Sequence, residues 1–228
     1  MILRYALFVF GVYITTIGIV MIVRCALGTT PVASLNYVLS INASWTLGTW
    51  MFIFNILLIA GQLILLGKRI TPQDKLDIAL QFPSAFVFSG FLDLNMYLFR
   101  EMYPVNYLHS LFLLLAGCFI QSLGLSLSLK PHVTLLSADA FVRYASERFQ
   151  KKFSVCKIGF DISVVALAVL ISLLFTRQIH GVREGSVIAA CINGYIVGFL
   201  NQKVITQRNI RKVLRHSFVG IRNNKVPK

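Results

Sequence analysis

Six long apolar runs dominate the chain, approximately Ile2 to Val23, Thr49 to Leu66, Ile78 to Leu98, Leu108 to Leu129, Ile158 to Phe175 and Ser186 to Ile205. A helix crossing a bilayer needs roughly 20 apolar residues, and in lipid a helix satisfies every backbone polar group within its own segment. The runs therefore predict spanning helices, the second and fifth only just long enough. Of 228 residues, 57% are hydrophobic and 13% charged, which excludes a soluble domain with a water-facing surface. The first run is too long for the core of a signal peptide, about 7 to 15 residues, and reads as a retained first span.

The runs are interrupted in a patterned way. Between the first and second lies RCALGTTPVASLNYVLS, from Arg24 to Ser40, in which Thr30 can cap a helix and Pro31 suits its first position. About a dozen helical residues follow, too few to cross. Moving 106 positions along (Gly11 to Gly117) recovers the plan as KPHVTLLSADAFVRYAS, with Lys130 in the place of Arg24 and Ser137 in the place of Pro31. At this offset Gly11 meets Gly117, Gly18 meets Gly124 and Asn55 meets Asp161; after two extra residues, Gly90 meets Gly198 and Asp93 meets Asn201. Each half then reads span, short segment, span, span. An odd number of spans per half inverts the second copy, the arrangement common among secondary transporters. The expected fold is all-α: a polytopic helical bundle of six transmembrane helices in two inverted three-helix repeats, with two short re-entrant or interfacial helices. Residues 1–205 form one membrane domain, the repeats covering 1–100 and 107–205, and 206–228 form a basic tail.

The net charge of +14 arises from 22 Lys and Arg against 8 Asp and Glu. On the six-span topology one side collects all basic residues except Arg24, Arg100, Arg177 and Arg183, eighteen of the 22 against four. Basic residues accumulate in cytoplasmic loops, so both termini are expected in the cytoplasm. The expected partners are membrane lipids, with anionic headgroups at the tail, rather than nucleic acid. In that tail Ile210, Val213, Leu214 and Phe218 fall near one helical face, as in a helix lying on the inner leaflet, although a plain basic stop signal explains it nearly as well.

The segment Leu27-Gly28-Thr29-Thr30-Pro31, following a span and Arg24, resembles the LG-x-x-P element of bacterial membrane proteins of the YczE/YyaS/YitT group. The resemblance covers nearly the whole chain in layout. The G-x-G-T element that such proteins carry before the third span of each half is matched only loosely, by ITPQDKLD and by HGVREGSV with Gly181 and Gly185. What the resemblance implies is a bacterial inner-membrane location and a multispan helical fold, with no particular substrate or activity.

Candidate binding residues fall at the interruptions and inside the spans. Arg24 with Thr29 and Thr30, and Lys130 with Ser137 and Asp139, stand beside the starts of the short helices, where free N–H groups and the helix dipole favour an anion. The alternatives are a basic side chain snorkelling to the headgroups, or an ion pair with Asp93 or Asp139. Asn55 and Asp161 lie within their spans, where a polar group needs a partner, and Asp161 could carry a proton; interhelical hydrogen bonding is the competing role. Gln81, Pro83 and Ser84 form a polar, kinked patch in the third span, with Asn193 the nearest counterpart in the sixth, and an interrupted span is a pointer to a central site. Ordinary packing explains a Pro kink equally well. Gly11, Gly18, Gly117 and Gly124 recur at seven-residue spacing, a signal for close helix approach.

Enzymatic signatures are missing. His109, His132, His180 and His216 have no HExxH spacing, and the chain has no GxSxG, Walker A or paired-carboxylate motif. No catalytic residue, metal site or cofactor is expected. Cys25, Cys118, Cys156 and Cys191 have no CxxC spacing and read as small buried thiols. Two functional classes remain: a transporter of a small molecule or ion with its site between the halves, and an accessory or scaffold membrane protein. A homo-oligomer is compatible with either.

Overall fold

The computed structural model describes residues 2–67, 70–131, 133–178 and 181–200. Over these the chain forms helices α1 Ile2–Arg24, α2 Pro31–Asn42, α3 Leu47–Leu66, α4 Pro72–Leu98, α5 Tyr107–Leu129, α6 Ser137–Phe149, α7 Phe153–Thr176 and α8 Glu184–Phe199, with no strand among the described residues. The basic tail, Asn201, His132, His180 and His216 lie outside them.

Four helices, α1, α3, α5 and α7, are long and apolar enough to cross a membrane. At 27 residues α4 is longer than any of them, but Gln81, Ser84, Ser89, Asp93 and Asn95 dilute its apolar character. Helix α8 is apolar over its 16 described residues. The short elements are as short as their caps and composition suggest: α2 has 12 residues and begins at Pro31, and α6 has 13 and begins at Ser137. Two helices start earlier than hydropathy implies. Thr71 and Asp74 form a reciprocal capping box that extends α4 back to Pro72, and α7 begins at Phe153 so that Lys157 lies one turn before Asp161 on the same face.

Three kinds of helix pairing recur between α1–α4 and α5–α8, whereas the close packing of α3 on α4 has no α7–α8 counterpart among the described residues. α1 packs on α4 as α5 packs on α8; α2 packs on α3 as α6 packs on α7; α2 packs on α7 as α6 packs on α3. α1 and α5 pack extensively on each other. Their crossing depends on glycine, because any side chain there would enter the neighbouring backbone. A Cβ on Gly11 would lie 3.0 Å from Gly124 O, and one on Gly117 would lie 3.0 Å from Gly18 O. Likewise Gly18 abuts Gln121, and Gly124 abuts Thr15. Each contact becomes the other when 106 is added to one partner and subtracted from the other. Residue numbers rise along α1 as they fall along α5, so the two helices run antiparallel. Thr16 and Ser122, also one offset apart, bond the fourth helix of their own halves: Asn95 Nδ2 donates to Thr16 Oγ1 at 2.9 Å, and Ser122 Oγ donates to Asn193 Oδ1 at 3.3 Å.

Three apolar clusters tie the helices together, two of them across α1–α4 and α5–α8. Phe8, Val12, Val20, Ala33, Met51 and Leu92 belong to one cluster joining α1 to α4. Ile22, Cys25, Leu114, Cys118 and Ala189 join α1, α5 and α8, and Leu35 of α2 packs on Val164 and Ala168 of α7. All four cysteines are free; Cys25 and Cys118 are buried, Cys156 is half-buried and Cys191 is exposed.

Candidate functional site

A cavity of about 720 Å³ is lined by residues from all eight helices. Its walls come from matched positions: Thr15 with Gln121, Ile19 with Leu125, Pro31 with Ser137, and Asn55 with Asp161. The wall continues along Leu129 and Phe153, toward the end of α5 and the start of α7, whereas the matching Val23 and Leu47 are buried in the core. The cavity thus extends toward one end of the bundle and is closed at the other.

At the closed end the α1–α2 loop is held by the segment that starts α8. Thr29 Oγ1 donates to Gly181 O at 2.9 Å, Thr29 N donates to Ser186 Oγ at 3.1 Å, and Gly185 N donates to Leu27 O at 2.8 Å. Gly28 has φ +120, a conformation L side chains rarely adopt, and a Cβ there would lie 2.5 Å from Ser186 Oγ. A weaker counterpart stands at the other end, where Thr134 Oγ1 donates to Asp77 O at 3.2 Å.

Two features give the cavity its polarity. The first is a charge cluster from α6 and α7: Lys157 Nζ lies 3.3 Å from Asp139 Oδ1 and 3.3 Å from Asp161 Oδ1. Asp161 Oδ1 is buried against Lys157, while the Asp161 side chain as a whole is about a quarter exposed. Arg143 also lines the wall, but its Nε is 3.3 Å from Glu147 and its guanidinium lies over the Tyr144 ring, 4.9 Å from the centroid. The second feature is the pair of helix starts. Thr30 makes no capping bond to α2, and the cap of α6 is Leu136, which has no side-chain acceptor. The amides of Val32, Ala33, Ser137, Ala138 and Asp139 therefore donate to no protein group among the described residues. Thr30, Asn55 and Ser137 are 7%, 8% and 3% exposed, yet the two hydroxyls and the Asn55 amide oxygen have no protein partner among the described residues.

Of the residues singled out from sequence, Thr30, Asn55, Ser84, Ser137, Asp139, Asp161 and Asn193 line this cavity. Ser84 Oγ donates to Leu80 O at 2.7 Å, and Asn193 Nδ2 donates to Gln121 Oε1 at 3.1 Å, tying α8 to α5. Thr29 stands in the loop clasp rather than the wall. Gln81 is buried behind it, where Gln62 and Gln81 exchange hydrogen bonds of 2.8 and 2.9 Å and Gln62 Nε2 donates to Ser137 O at 3.2 Å. Arg24 lies apart, with Nη2 donating to Met96 O at 3.0 Å and its guanidinium 5.7 Å from the Tyr103 centroid. Lys130 caps the end of α5, outside the lining. Thr46 caps α3, and Asp93 of α4 supports that start by accepting from Gly48 N at 2.7 Å and Thr46 Oγ1 at 2.6 Å.

Lys157, Gln121, Thr15 and Gln62 went unrecognised in the sequence. Lys157 counted among the basic residues of a connection, although its four-residue spacing from Asp161 was a readable signal. Among the described residues no three His, Cys, Asp or Glu side chains gather to hold a metal.

No curated protein and no solved structure matches the chain. Residues 2–202 match the family described as "Family of unknown function (DUF6198)", and a match over that length means that the chain belongs to this family.

Proposed function

We propose that the chain is a membrane carrier for a small molecule or ion, working through the cavity between two inverted three-span halves. In this reading α1, α3 and α4 are the spans of the first half, α5, α7 and α8 those of the second, and α2 and α6 are short helices that enter without crossing. Both termini lie in the cytoplasm of a bacterial inner membrane, as the basic-residue asymmetry and the YczE/YyaS/YitT-like LG-x-x-P segment suggest. The reciprocal α1–α5 crossing supports the inversion, because a two-fold relation makes residue i touch j where the copy of j touches the copy of i.

The observation that carries the reading is the cavity itself, lined from both halves at matched positions and holding buried polar groups that face it. An accessory or scaffold protein, the competing class, has no use for an open space at its centre with unpartnered polar groups facing it, and gains stability from filling it. The closed and extended ends of the cavity correspond to one of the two states that rocking of one half against the other would exchange.

The test is labelling of Ser137→Cys, in a background with the four native cysteines replaced, by a membrane-impermeant thiol reagent in sealed vesicles of both orientations. A carrier exposes position 137 to each side in turn, so labelling from both sides is expected; labelling from one side only removes the carrier reading. Ser44→Cys and Lys152→Cys should label from opposite sides, and labelling from the same side overturns the topology.

A further inference from the structure

The polarity of the cavity is divided, and the division specifies a class of ligand. At the start of α2 the amides of Val32 and Ala33 and the Thr30 hydroxyl have no protein partner among the described residues, and the first turn carries no acidic residue. A helix N-terminus of this kind presents about +0.5 charge to an anionic group. Across the cavity, Lys157 stands between Asp139 and Asp161, so the three groups carry one excess negative charge. The Asp139 and Asp161 side chains are each about a quarter exposed there, and the oxygen of the nine-tenths-buried Asn55 has no protein partner among the described residues. Between these poles the wall is apolar, with Ile19, Met51, Phe88 and Leu125.

We propose that the cavity binds a small zwitterion of the α-amino acid class. Its carboxylate sits on the α2 N-terminus and Thr30, its ammonium sits among Asp139, Asp161 and Asn55, and an apolar side chain lies against the wall. The inference rests on the carrier reading and deepens it. A simple anion would face the excess negative charge of the α6–α7 cluster. A simple cation would leave the α2 amides desolvated without an acceptor, which opposes its binding. A zwitterion answers both poles at once. The volume of about 720 Å³ falls in the range of small-molecule sites, roughly 300 to 1,000 Å³. Lys157 acts as the resident cation that holds the two carboxylates in place, and an arriving ammonium shares them.

The experiment is equilibrium binding of the twenty proteinogenic amino acids to the purified full-length chain in detergent. The tightest ligand is then compared with two truncated analogues, the carboxylic acid lacking the amine and the amine lacking the carboxyl group. At least one amino acid should bind, and each analogue should bind about tenfold or more weakly, the loss of a charge-assisted hydrogen bond. Asp161→Asn should weaken the amino acid and the amine by about ten- to hundredfold and leave the carboxylic acid bound as tightly as before or more tightly, since one repelling charge is gone. Asp139→Asn should repeat the pattern, which guards against a folding defect in one variant. Binding by neither amino acid nor analogue, an analogue as tight as its parent, or equal loss of all three ligands in both variants overturns the proposal. If position 137 labels from both sides while no amino acid binds, the carrier reading stands and the ligand class falls.

Discussion

Replacing Gly18 or Gly124 by Ala probes the α1–α5 crossing directly. The methyl of Gly18→Ala would lie 2.6 Å from Gln121 Cα and 2.7 Å from its Cβ, and that of Gly124→Ala would lie 2.7 Å from Thr15 Oγ1 and 2.8 Å from Gly11 O. Carbon atoms in contact sit about 3.5 to 4.0 Å apart, so the helices must separate by roughly 1 Å, which forfeits a quarter to a half of the dispersion energy along the seam. Overpacking of this kind costs about 1 to 3 kcal/mol. Gly90→Ala and Gly198→Ala are the controls: no atom lies within 4 Å of a Cβ at either position, so they register only the gain in helix propensity. The assay is the melting temperature of the purified protein in detergent, followed by size-exclusion chromatography. At about 2 to 4 °C per kcal/mol for a chain of this length, the crossing variants should melt roughly 2 to 12 °C below the controls. The double variant should lose less than the sum of the two singles, because one separation of the helices relieves both clashes. Crossing variants that melt with the controls, or a strictly additive double variant, would refute the packing argument.

Gln62→Leu or Gln81→Leu leaves one buried amide without its partner and should cost about 1 to 3 kcal/mol, whereas the double replacement should cost less than either, measured as loss of thermal stability in detergent. Asp93→Ala removes the acceptor of Gly48 N while Thr46 still caps α3, and should destabilise the protein by about 1 kcal/mol with faster amide exchange confined to the first turn of α3; protection unchanged at Gly48 would count against that support.

Much of the helix order was legible because its causes are local. Pro31 follows a residue of capping type, and α2 begins there; the long apolar runs of α1, α3 and α5 end within two residues of where the hydropathy places them. The starts of α4 and α7 were misread for one reason: hydropathy treats a charge as the end of a span, while the helix continues through it. The Thr71-Pro72-Gln73-Asp74 capping signature was present in the sequence and would have corrected α4. The site was half legible. Asn55 and Asp161, and the residues at the short-helix starts, Thr30, Ser137 and Asp139, do meet at the cavity. Arg24, Gln81 and Lys130 had the same chemical credentials and stand elsewhere.

The sequence by itself determined where most of the helices lie and that α2 and α6 are short. Those properties depend on neighbours within a few residues along the chain: a cap, a proline, a run of apolar side chains. Only the tertiary structure decided that Lys157 stands between two carboxylates, that Gln62 holds Gln81, and that Asn55 faces open space. Successive residues point about 100° apart around a helix, so the partner of a polar side chain is set by how each helix is rotated and crossed against the next.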